Sequence, residues 1–539
     1  MAGVPDIGGS WLSYGPMTAR TMTIRGETYP LILPSIRDPR LHVAAVIITV
    51  HVLGQVALGF RVSVPQILAA ILTCAILEVA LTFRQSRAFV WPASAMLTGS
   101  GVALILRVVG TPPNDPWSTY AWHWFAIIAG LSLLSKYVIR YRGTHVFNPS
   151  NIGLVAAFLL LGPSLVEPLD FWWAPLNPWM LLAYAVIIGG GLLITRRLSL
   201  LWLAASFWLT LALGLGILSA SGHCMIANWA FSPVCGFDFW RVVVTSPEVM
   251  IFLFFMITDP KTVPAGRVGR IAFGILVAIT STLLLAPQTD EWGAKVGLLS
   301  GLVIVCLARP FLDRLVPAPG SAGDRFAAIL GGTGRVGARR LAQRLGALVL
   351  ATVLVGGAVV AAGTPARGVA LGNVDELLDR LPTNVDPSTL PPITVADEVR
   401  EFDHELAGAE MTQVVLTLAR NLELENQALL RRDDGLLRAV NHGDRLVEMR
   451  ERLAQAAATG TTVLTHYAFD AIDVTLLVPF GAQTGLSLGL TGTGTMLLET
   501  RDASGAVVER ESAPFELTFA MRRATGERWM NVAVLPANR

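Results

Sequence analysis

The feature that most constrains the fold is a series of eleven apolar runs, each close to the length that spans a bilayer. A membrane-spanning helix needs roughly 20 mostly apolar residues. Hydrophobic residues make up 53% of the 539 and charged residues only 15%, which is typical of a multi-span membrane protein rather than a water-soluble one. The runs cover 42–60, 65–83, 90–109, 118–138, 147–163, 176–195, 199–219, 240–258, 268–286, 292–308 and 346–363.

The charges between the runs predict an orientation in the plasma membrane. If the N-terminus is cytoplasmic, the cytoplasmic loops carry most of the Lys and Arg, as the positive-inside rule expects. The region after the eleventh run then lies outside the cytoplasm. The first 41 residues contain four arginines and lack the apolar core of a cleavable signal peptide. The net charge of +2 gives no indication of a nucleic-acid partner, and the lipid bilayer is the expected environment.

Shifts in composition divide the chain into six regions. We expect an α-helical multi-span membrane protein of about ten helices, with inverted half-repeats, broken helices and one extra helix, followed by an extracytoplasmic α+β domain. The regions are a cytoplasmic segment (1–41), the ten-helix domain (42–316), a basic cytoplasmic linker (317–345), the eleventh helix (346–363), a Pro-rich linker (364–393) and the α+β domain (394–539).

The α+β assignment of the last region rests on a change of periodicity. Helical spacing runs through 396–431 and 435–457, and strand-like alternation follows residue 461, with "DASG" at 502–505 as a hairpin turn. This order of elements weakly resembles the NTF2-like fold, whose members bind ligands or partners. An extracytoplasmic protein partner is therefore an expectation for this region. Its histidines are scattered and are expected to lie on the surface or in packing contacts.

Several isolated features receive simple interpretations. Cys224 and Cys235 share one loop on the predicted outer side, where a disulfide and two free thiols remain alternatives. No metal site is expected. Glu78 and Arg107 lie near the ends of apolar runs, so we expect them to snorkel outward, Glu78 toward Arg84. The sequence "GTGRVG" at 332–337 lacks the strand and helix of a dinucleotide-binding unit and is interpreted as a basic linker facing anionic lipid.

Two polar stretches interrupt the apolar pattern, "FNPSNIG" at 147–153 and "FMITDPKT" at 255–262. Polar backbone at membrane depth is tolerated only where protein or a water-filled cavity covers it. Broken helices that begin or end at such stretches are typical of a central binding site, and a helix N-terminus favours an anionic group. The alternative is that both stretches are ordinary turns at the inner surface.

Three ordered motifs resemble the membrane subunits RnfD and NqrB of the Rnf and Nqr redox pumps. They are "SAMLTG" at 94–99, "SKYVIRYRGTHVFNPSNIGLV" at 135–155 and "FFMITDPKTVP" at 254–264, and the resemblance covers about 42–316. It implies a channel-like bundle that binds flavin (FMN or riboflavin) and takes part in electron transport with redox partner subunits. The site residues that it implies are Ser94, Thr98, Lys136, His145, Asn148, Pro149, Asn151, Thr258, Asp259 and Lys261.

The sequence departs from that family at the flavin-attachment motif. Members with covalent FMN carry a serine–glycine–alanine–threonine motif, which is absent from this chain. Any flavin is therefore expected to bind non-covalently. In lacking the motif, the chain is similar to atypical relatives found in actinobacterial clusters for enediyne biosynthesis. With four cysteines and no cluster spacing, electrons would have to come from partner subunits. Two alternatives remain open: a small-solute transporter or channel using the same site, and a membrane-tethered assembly protein acting through its outer domain.

Overall fold

A computed structural model describes residues 18–112, 115–169, 178–227, 234–325, 338–367, 390–404, 406–477, 487–523 and 529–537. The chain separates into two compact units. The membrane unit comprises residues 1–225 and 235–368, and the C-terminal unit comprises residues 226–234 and 369–539. The predicted linker sequence at 332–337 and most of the Pro-rich linker lie outside the described residues.

The membrane unit is a bundle of apolar helices. In chain order these are α1 (Pro39–Val56), α2 (Val64–Ser86), α3 (Ala93–Ile105), α4 (Trp122–Val138), α5 (Pro149–Leu161), α6 (Pro178–Arg197), α7 (Leu201–Ala220), α8 (Gly236–Thr245), α9 (Pro247–Ile251), α10 (Arg267–Leu285), α11 (Glu291–Leu315) and α12 (Ala338–Ala362). Within the described residues, seven stretches are long and apolar enough to cross a membrane. One of them is Gly236–Met256, which joins α8, α9 and a π-helical turn (Phe252–Met256). Their length and composition support the expectation of a helical membrane protein.

Local sequence explains where helix α2 begins. At the start of α2, the Ser63 hydroxyl accepts a hydrogen bond from the Gln66 backbone N–H, and the Gln66 side chain accepts one from the Ser63 N–H. This capping box satisfies two backbone donors that the helix itself leaves unpaired. Pro65 lies in the first turn, where its missing N–H is harmless and its fixed φ suits the helix.

Helices α3 and α5 are shorter than the predicted runs 90–109 and 147–163. Each has 13 residues, which rise only about 20 Å at about 1.5 Å per residue, against the roughly 30 Å of a hydrocarbon core. A short strand follows each helix, β4 (Leu106–Val108) after α3 and β7 (Val166–Pro168) after α5, and the two strands pair antiparallel. This pairing supplies hydrogen bonds to the backbone N–H and C=O groups of the residues that follow each helix, where helical hydrogen bonding has ended.

The N-terminal segment contains a β-hairpin that the sequence interpretation missed. Strand β1 (Thr18–Ile24) pairs antiparallel with β2 (Glu27–Leu33), and β2 pairs with β3 (Phe89–Val90). Both residues of the connecting turn, Arg25 and Gly26, have positive φ, of 52° and 85°. Consecutive positive φ values characterise a two-residue hairpin turn whose twist matches the strands.

Close helix packing in the membrane unit depends on small residues. A Cβ atom added at Gly99 in α3 would lie 2.5 Å from the backbone oxygen of Ala70 in α2. Small residues at such positions let helix backbones approach, which is how membrane helices gain packing energy without a hydrophobic driving force.

The C-terminal unit combines helices with a five-stranded sheet. The helices are α13 (Asp397–Phe402), α14 (Met411–Arg431), α15 (Asp434–Val440) and α16 (Gly443–Thr459). The strands lie in the order β10 (Ile393–Val395), β11 (Thr462–Leu477), β12 (Ser487–Arg501), β13 (Val507–Arg523) and β14 (Trp529–Pro536). Only β10 and β11 are parallel, and the predicted turn at 502–505 joins β12 to β13.

Apolar packing and one buried ion pair hold the C-terminal unit together. Val414, Val415 and Leu418 of α14, spaced three and four residues apart, pack with Phe519 of the sheet, as an amphipathic helix requires. The guanidinium of Arg445, 2% exposed, donates to both carboxylate oxygens of Glu425, at 3.0 and 2.5 Å. The Asn531 amide donates to the same carboxylate at 3.0 Å.

Candidate functional site

One cavity of about 190 Å³ lies in the membrane unit where α1, α3 and α5 begin and where α4 and α6 end. The segment that follows the π-helical turn closes another side of it. We call this space the main cavity. It gathers short stretches that are up to about 220 residues apart in sequence, from Pro39 to Lys261.

The main cavity brings together nine of the ten site residues proposed from sequence. They are Ser94, Thr98, Lys136, His145, Asn148, Pro149, Thr258, Asp259 and Lys261. The tenth, Asn151, does not line the cavity; its side-chain amide donates to the backbone oxygen of Leu299 in α11 at 3.0 Å. Asn151 therefore fixes α5 against α11 instead of facing the cavity.

Asn148 anchors the start of α5. Its side-chain oxygen caps the helix by accepting from the backbone N–H of Asn151 at 3.2 Å and also accepts from the Ser150 hydroxyl at 2.8 Å. Its amide nitrogen donates to the backbone oxygen of Met256 at 3.1 Å. One side chain thus ties the first turn of α5 to the last residue of the π-helical turn, which holds the two polar stretches together at the cavity wall.

The second polar stretch is held by hydrogen bonds at the cavity wall. The His145 ring nitrogen Nε2 lies 2.9 Å from Oδ2 of Asp259, and Oδ1 of Asp259 accepts from the backbone N–H of Lys261 at 3.0 Å. Arg309 of α11 donates to the backbone oxygen of Lys261 at 2.5 Å. These bonds fix the turn after the π-helical segment, so that Asp259 and Lys261 both face the cavity.

Glu78 does not snorkel toward Arg84 as predicted. It is 4% exposed, and its carboxylate accepts from Lys136 Nζ at 3.1 Å and from the Tyr137 hydroxyl at 2.5 Å. Lys136 also reaches the Ser94 hydroxyl at 3.3 Å. The expectation was wrong because Lys136 and Tyr137 of α4 supply hydrogen-bond donors inside the bundle, which a buried carboxylate requires. Glu78 is thus a supporting residue of the cavity that sequence reasoning missed.

Arg107 is likewise buried instead of reaching outward. It is 5% exposed, lies in β4 and pairs with Glu167 of β7 at 2.5 Å. A second buried cluster joins Lys295 to Glu248 at 3.3 Å and to Glu291 at 2.6 Å. Glu248 and Lys295 lie inside the predicted spans 240–258 and 292–308. Charges within apolar runs were the signal that could have marked them.

The surface of the main cavity combines apolar walls with basic groups. Phe254, Phe255 and Ile251 contribute to the apolar side, and Arg40 and Lys261 to the basic side. The guanidinium of Arg40 pairs with Asp38, the N-cap of α1, at 2.6 Å. Because three helices also begin at the cavity, their positively polarised N-termini add to its preference for negative charge.

Two of the four cysteines form a disulfide, and the other two are free thiols. Cys224 of β8 (Cys224–Met225) and Cys235 of β9 (Val234–Cys235) form a disulfide. Cys74 and Cys306 are free and buried. Across the described ranges, no three His, Cys, Asp or Glu side chains come close enough to hold a metal ion.

Comparison with known proteins gives no family assignment. No protein-family model matches the chain, and no curated protein matches its sequence.

Proposed function

We propose that the membrane unit binds a flavin non-covalently in the main cavity and serves as the membrane subunit of an electron-transport system that resembles Rnf and Nqr. The observation that carries the proposal is the convergence of three separate motifs on one cavity, through Ser94 and Thr98, Lys136 to Pro149, and Thr258 to Lys261. Cofactor sites combine mostly apolar walls with a few placed polar groups, and this cavity has both.

The residues suit the two chemical parts of a flavin. The flat isoalloxazine ring would pack against Phe254 and Phe255, because aromatic side chains bury large areas and favour stacked or edge contacts. Lys136, Lys261 and Arg40 would offset negative charge on the ligand. The 190 Å³ of the cavity is less than the roughly 300–1,000 Å³ of pockets for drug-sized ligands, so part of the cofactor would extend beyond it.

A bound flavin would supply one- and two-electron redox chemistry, which no side chain here provides by itself. The protein would bind and orient it. The carboxylate of Asp259, held by His145 and by the Lys261 N–H, can accept a hydrogen bond from a ring N–H. The fixed turn at Asp259 and the capped start of α5 limit movement at the site, which keeps these groups in place before the ligand arrives.

The test is the flavin content of the full-length protein purified in detergent. We expect absorption and fluorescence of flavin that heat denaturation releases, because no covalent bond retains it. The variant Lys261→Gln should lower flavin occupancy, whereas Arg142→Gln should not, since Arg142 is exposed and does not line the cavity. A colourless protein that takes up neither FMN nor riboflavin on reconstitution would refute the proposal.

A second function, transport of a small solute, is supported by a different observation. Helices α3 and α5, which line the cavity, are too short to span a bilayer. A π-helical turn at Phe252–Met256 interrupts a third segment of the cavity wall. Interrupted helices around a central site are typical of transporters. Solute flux into proteoliposomes that Asp259→Asn abolishes, in protein that contains no flavin, would favour this function over the first.

For the C-terminal unit we propose an extracytoplasmic, NTF2-like module that recruits a protein partner. Its support is the order of its elements: the short strand β10, then the helices α13 to α16, then the antiparallel strands β11 to β14. A partner that copurifies with the full chain and is lost on truncation after residue 364 would support this role. Full electron-transport activity of the truncated chain would contradict it.

A further inference from the structure

The C-terminal unit contains a cavity of about 200 Å³. It lies where α14 and α16 end and where β11 begins, with one residue of β12 in its lining. About three helical turns of α14 separate Leu429, which lines the cavity, from Leu418 of the apolar core between α14 and the sheet. The cavity is therefore separate from that core, and we call it the end cavity.

The most buried part of the end cavity is apolar. Leu429 and Ala456 are both buried, and Leu498 of β12 contributes a third apolar side chain. We call these three residues the floor. Water against such a floor gains no hydrogen bonds from it, so replacing that water with an apolar group is favourable. The floor thus suits a ligand that has an apolar body.

A buried hydroxyl group also lines the end cavity. Thr462 is 9% exposed, and its side chain forms no hydrogen bond with any other described residue. A buried polar group without a partner costs free energy, and native proteins satisfy the large majority of such groups. A ligand that accepts a hydrogen bond from Thr462 would remove this cost.

A guanidinium group and a side-chain amide complete the polar part of the lining, through Arg452 and Gln455 of α16. Arg452 donates to Glu448 at 2.9 Å and lies 3.5 Å from the Thr465 hydroxyl, which leaves some of its five N–H donors for a ligand. Glu448, which also accepts from Arg445 at 2.8 Å, does not line the cavity. Among the described residues, no Asp or Glu lines it. The polar part of the lining therefore favours an anionic group.

We propose that the end cavity binds a small organic monocarboxylate, with its apolar body on the floor and its carboxylate against Arg452. A guanidinium and a carboxylate pair through two parallel hydrogen bonds, and the Thr462 hydroxyl donates a further bond to the ligand. The volume of 200 Å³ is below the roughly 300–1,000 Å³ of pockets for drug-sized ligands, so the ligand is compact. This site lies in the C-terminal unit and does not depend on flavin binding in the membrane unit.

The experiment measures binding of four probes to the full-length protein in nanodiscs by calorimetry, with empty nanodiscs as the blank. The probes are benzoate, its neutral analogue benzamide, acetate and inorganic phosphate. Benzoate should bind about tenfold more tightly than benzamide, since hydrogen bonds between charged groups contribute on that order. It should also bind at least about tenfold more tightly than acetate or phosphate, because only benzoate carries an apolar ring to bury on the floor.

Substitution of Arg452 tests the carboxylate contact. Arg452→Gln should weaken benzoate binding about tenfold and leave benzamide binding unchanged. The fold should persist, because the pair with Glu448 is partly exposed and contributes little. Two exposed arginines that do not line the cavity serve as controls and should bind benzoate like the unmodified protein: Arg420→Gln on α14, and Arg142→Gln on the turn between β5 (Arg140–Tyr141) and β6 (Thr144–His145).

Thr462→Val separates a binding role from a structural one. The substitution keeps the shape of the side chain and suits a strand. It should weaken benzoate binding about fivefold, the effect of one hydrogen bond. It should not lower the stability of the ligand-free protein, because it removes a buried hydroxyl that has no partner in the described residues.

Other results would overturn the proposal. Equal affinity for benzoate and benzamide, or unchanged benzoate binding in Arg452→Gln, would refute the carboxylate contact. Acetate or phosphate binding as tight as that of benzoate would refute the role of the floor. Unchanged benzoate binding together with lost stability in Thr462→Val would refute the contact of Thr462 with the ligand. The absence of saturable benzoate binding would refute the site as a whole.

Discussion

Replacement of Glu78 by Gln should strongly destabilise the membrane unit. The substitution keeps the shape of the side chain but removes the negative charge that faces Lys136 Nζ at 3.1 Å. Both side chains are about 5% exposed, so water and salt screen the remaining ammonium weakly. Removing one partner of a buried pair costs about 3–5 kcal/mol, because the other charge stays buried and uncompensated. The loss of the charged acceptor for the Tyr137 hydroxyl adds to this.

The buried thiols provide the assay. Cys74 and Cys306 are both 0% exposed, and the other two cysteines are joined in a disulfide. A thiol-reactive fluorogenic dye therefore reports unfolding of the membrane unit on heating. Glu78→Gln should shift labelling to markedly lower temperature, and the double variant Glu78→Met with Lys136→Met should recover much of the loss, as apolar replacement of buried pairs does.

Arg84→Gln is the control for the partner of Glu78. An exposed arginine contributes little, so this variant should change stability by less than about 1 kcal/mol. If Arg84→Gln destabilised the protein as much as Glu78→Gln, or if Glu78→Gln had no effect, the buried pair with Lys136 would be refuted.

Three further predictions concern other contacts. Glu425→Gln should destabilise the C-terminal unit by about 3–5 kcal/mol, measured by urea unfolding followed by tryptophan fluorescence. The control Glu509→Gln, at an exposed position, should not destabilise it. Equal effects of the two substitutions would contradict the role of the ion pair between Glu425 and Arg445. Partial burial raises the pKa of the Asp434 carboxyl, but the guanidinium groups of Arg450 and Arg438 outweigh burial and hold this pKa below its usual value. A pKa that is lower in the folded state than in the unfolded state adds stability above about pH 4, and this stability is lost as the pH falls through the folded-state pKa. Asp434→Asn should therefore make the stability of the C-terminal unit less sensitive to acid. An unchanged dependence of stability on pH would count against the ion pairs of Asp434. Gly99→Ala should lower the unfolding temperature in the thiol assay because its Cβ meets the backbone of Ala70, whereas Gly189→Ala, with no atom within 4 Å, should not; the same shift for both would argue against the close packing of α2 and α3.

The sequence predicts best what depends on neighbouring residues. The apolar runs locate the helices because burial in lipid and local hydrogen bonding both act within one segment. Asn148 and Pro149 mark the start of α5 through capping chemistry that involves only the first turn. Alternation likewise predicts the long strands of the C-terminal unit, since the period of two follows from strand geometry alone.

The failures concern partners that are distant in sequence. Glu78 and Lys136 are 58 residues apart, so no local pattern distinguishes their pairing from snorkelling toward Arg84. The ends of α3 and α5 were misplaced for another reason. Leu106 and Val108 of β4 continue the apolar composition of α3, and a short buried apolar run does not by itself distinguish helix from strand. The turn of the N-terminal hairpin is Arg25-Gly26, which lacks the Asn-Gly or Asp-Gly pair that marks a two-residue hairpin turn most strongly.

The most direct test of the account is the cofactor content of the full-length protein after mild purification, measured by absorption before and after heat denaturation and compared with protein concentration. We expect about one flavin per chain, fully released on denaturation and depleted in Lys261→Gln but not in Arg142→Gln. A protein that contains no flavin, and that binds none when FMN or riboflavin is supplied, would contradict the account.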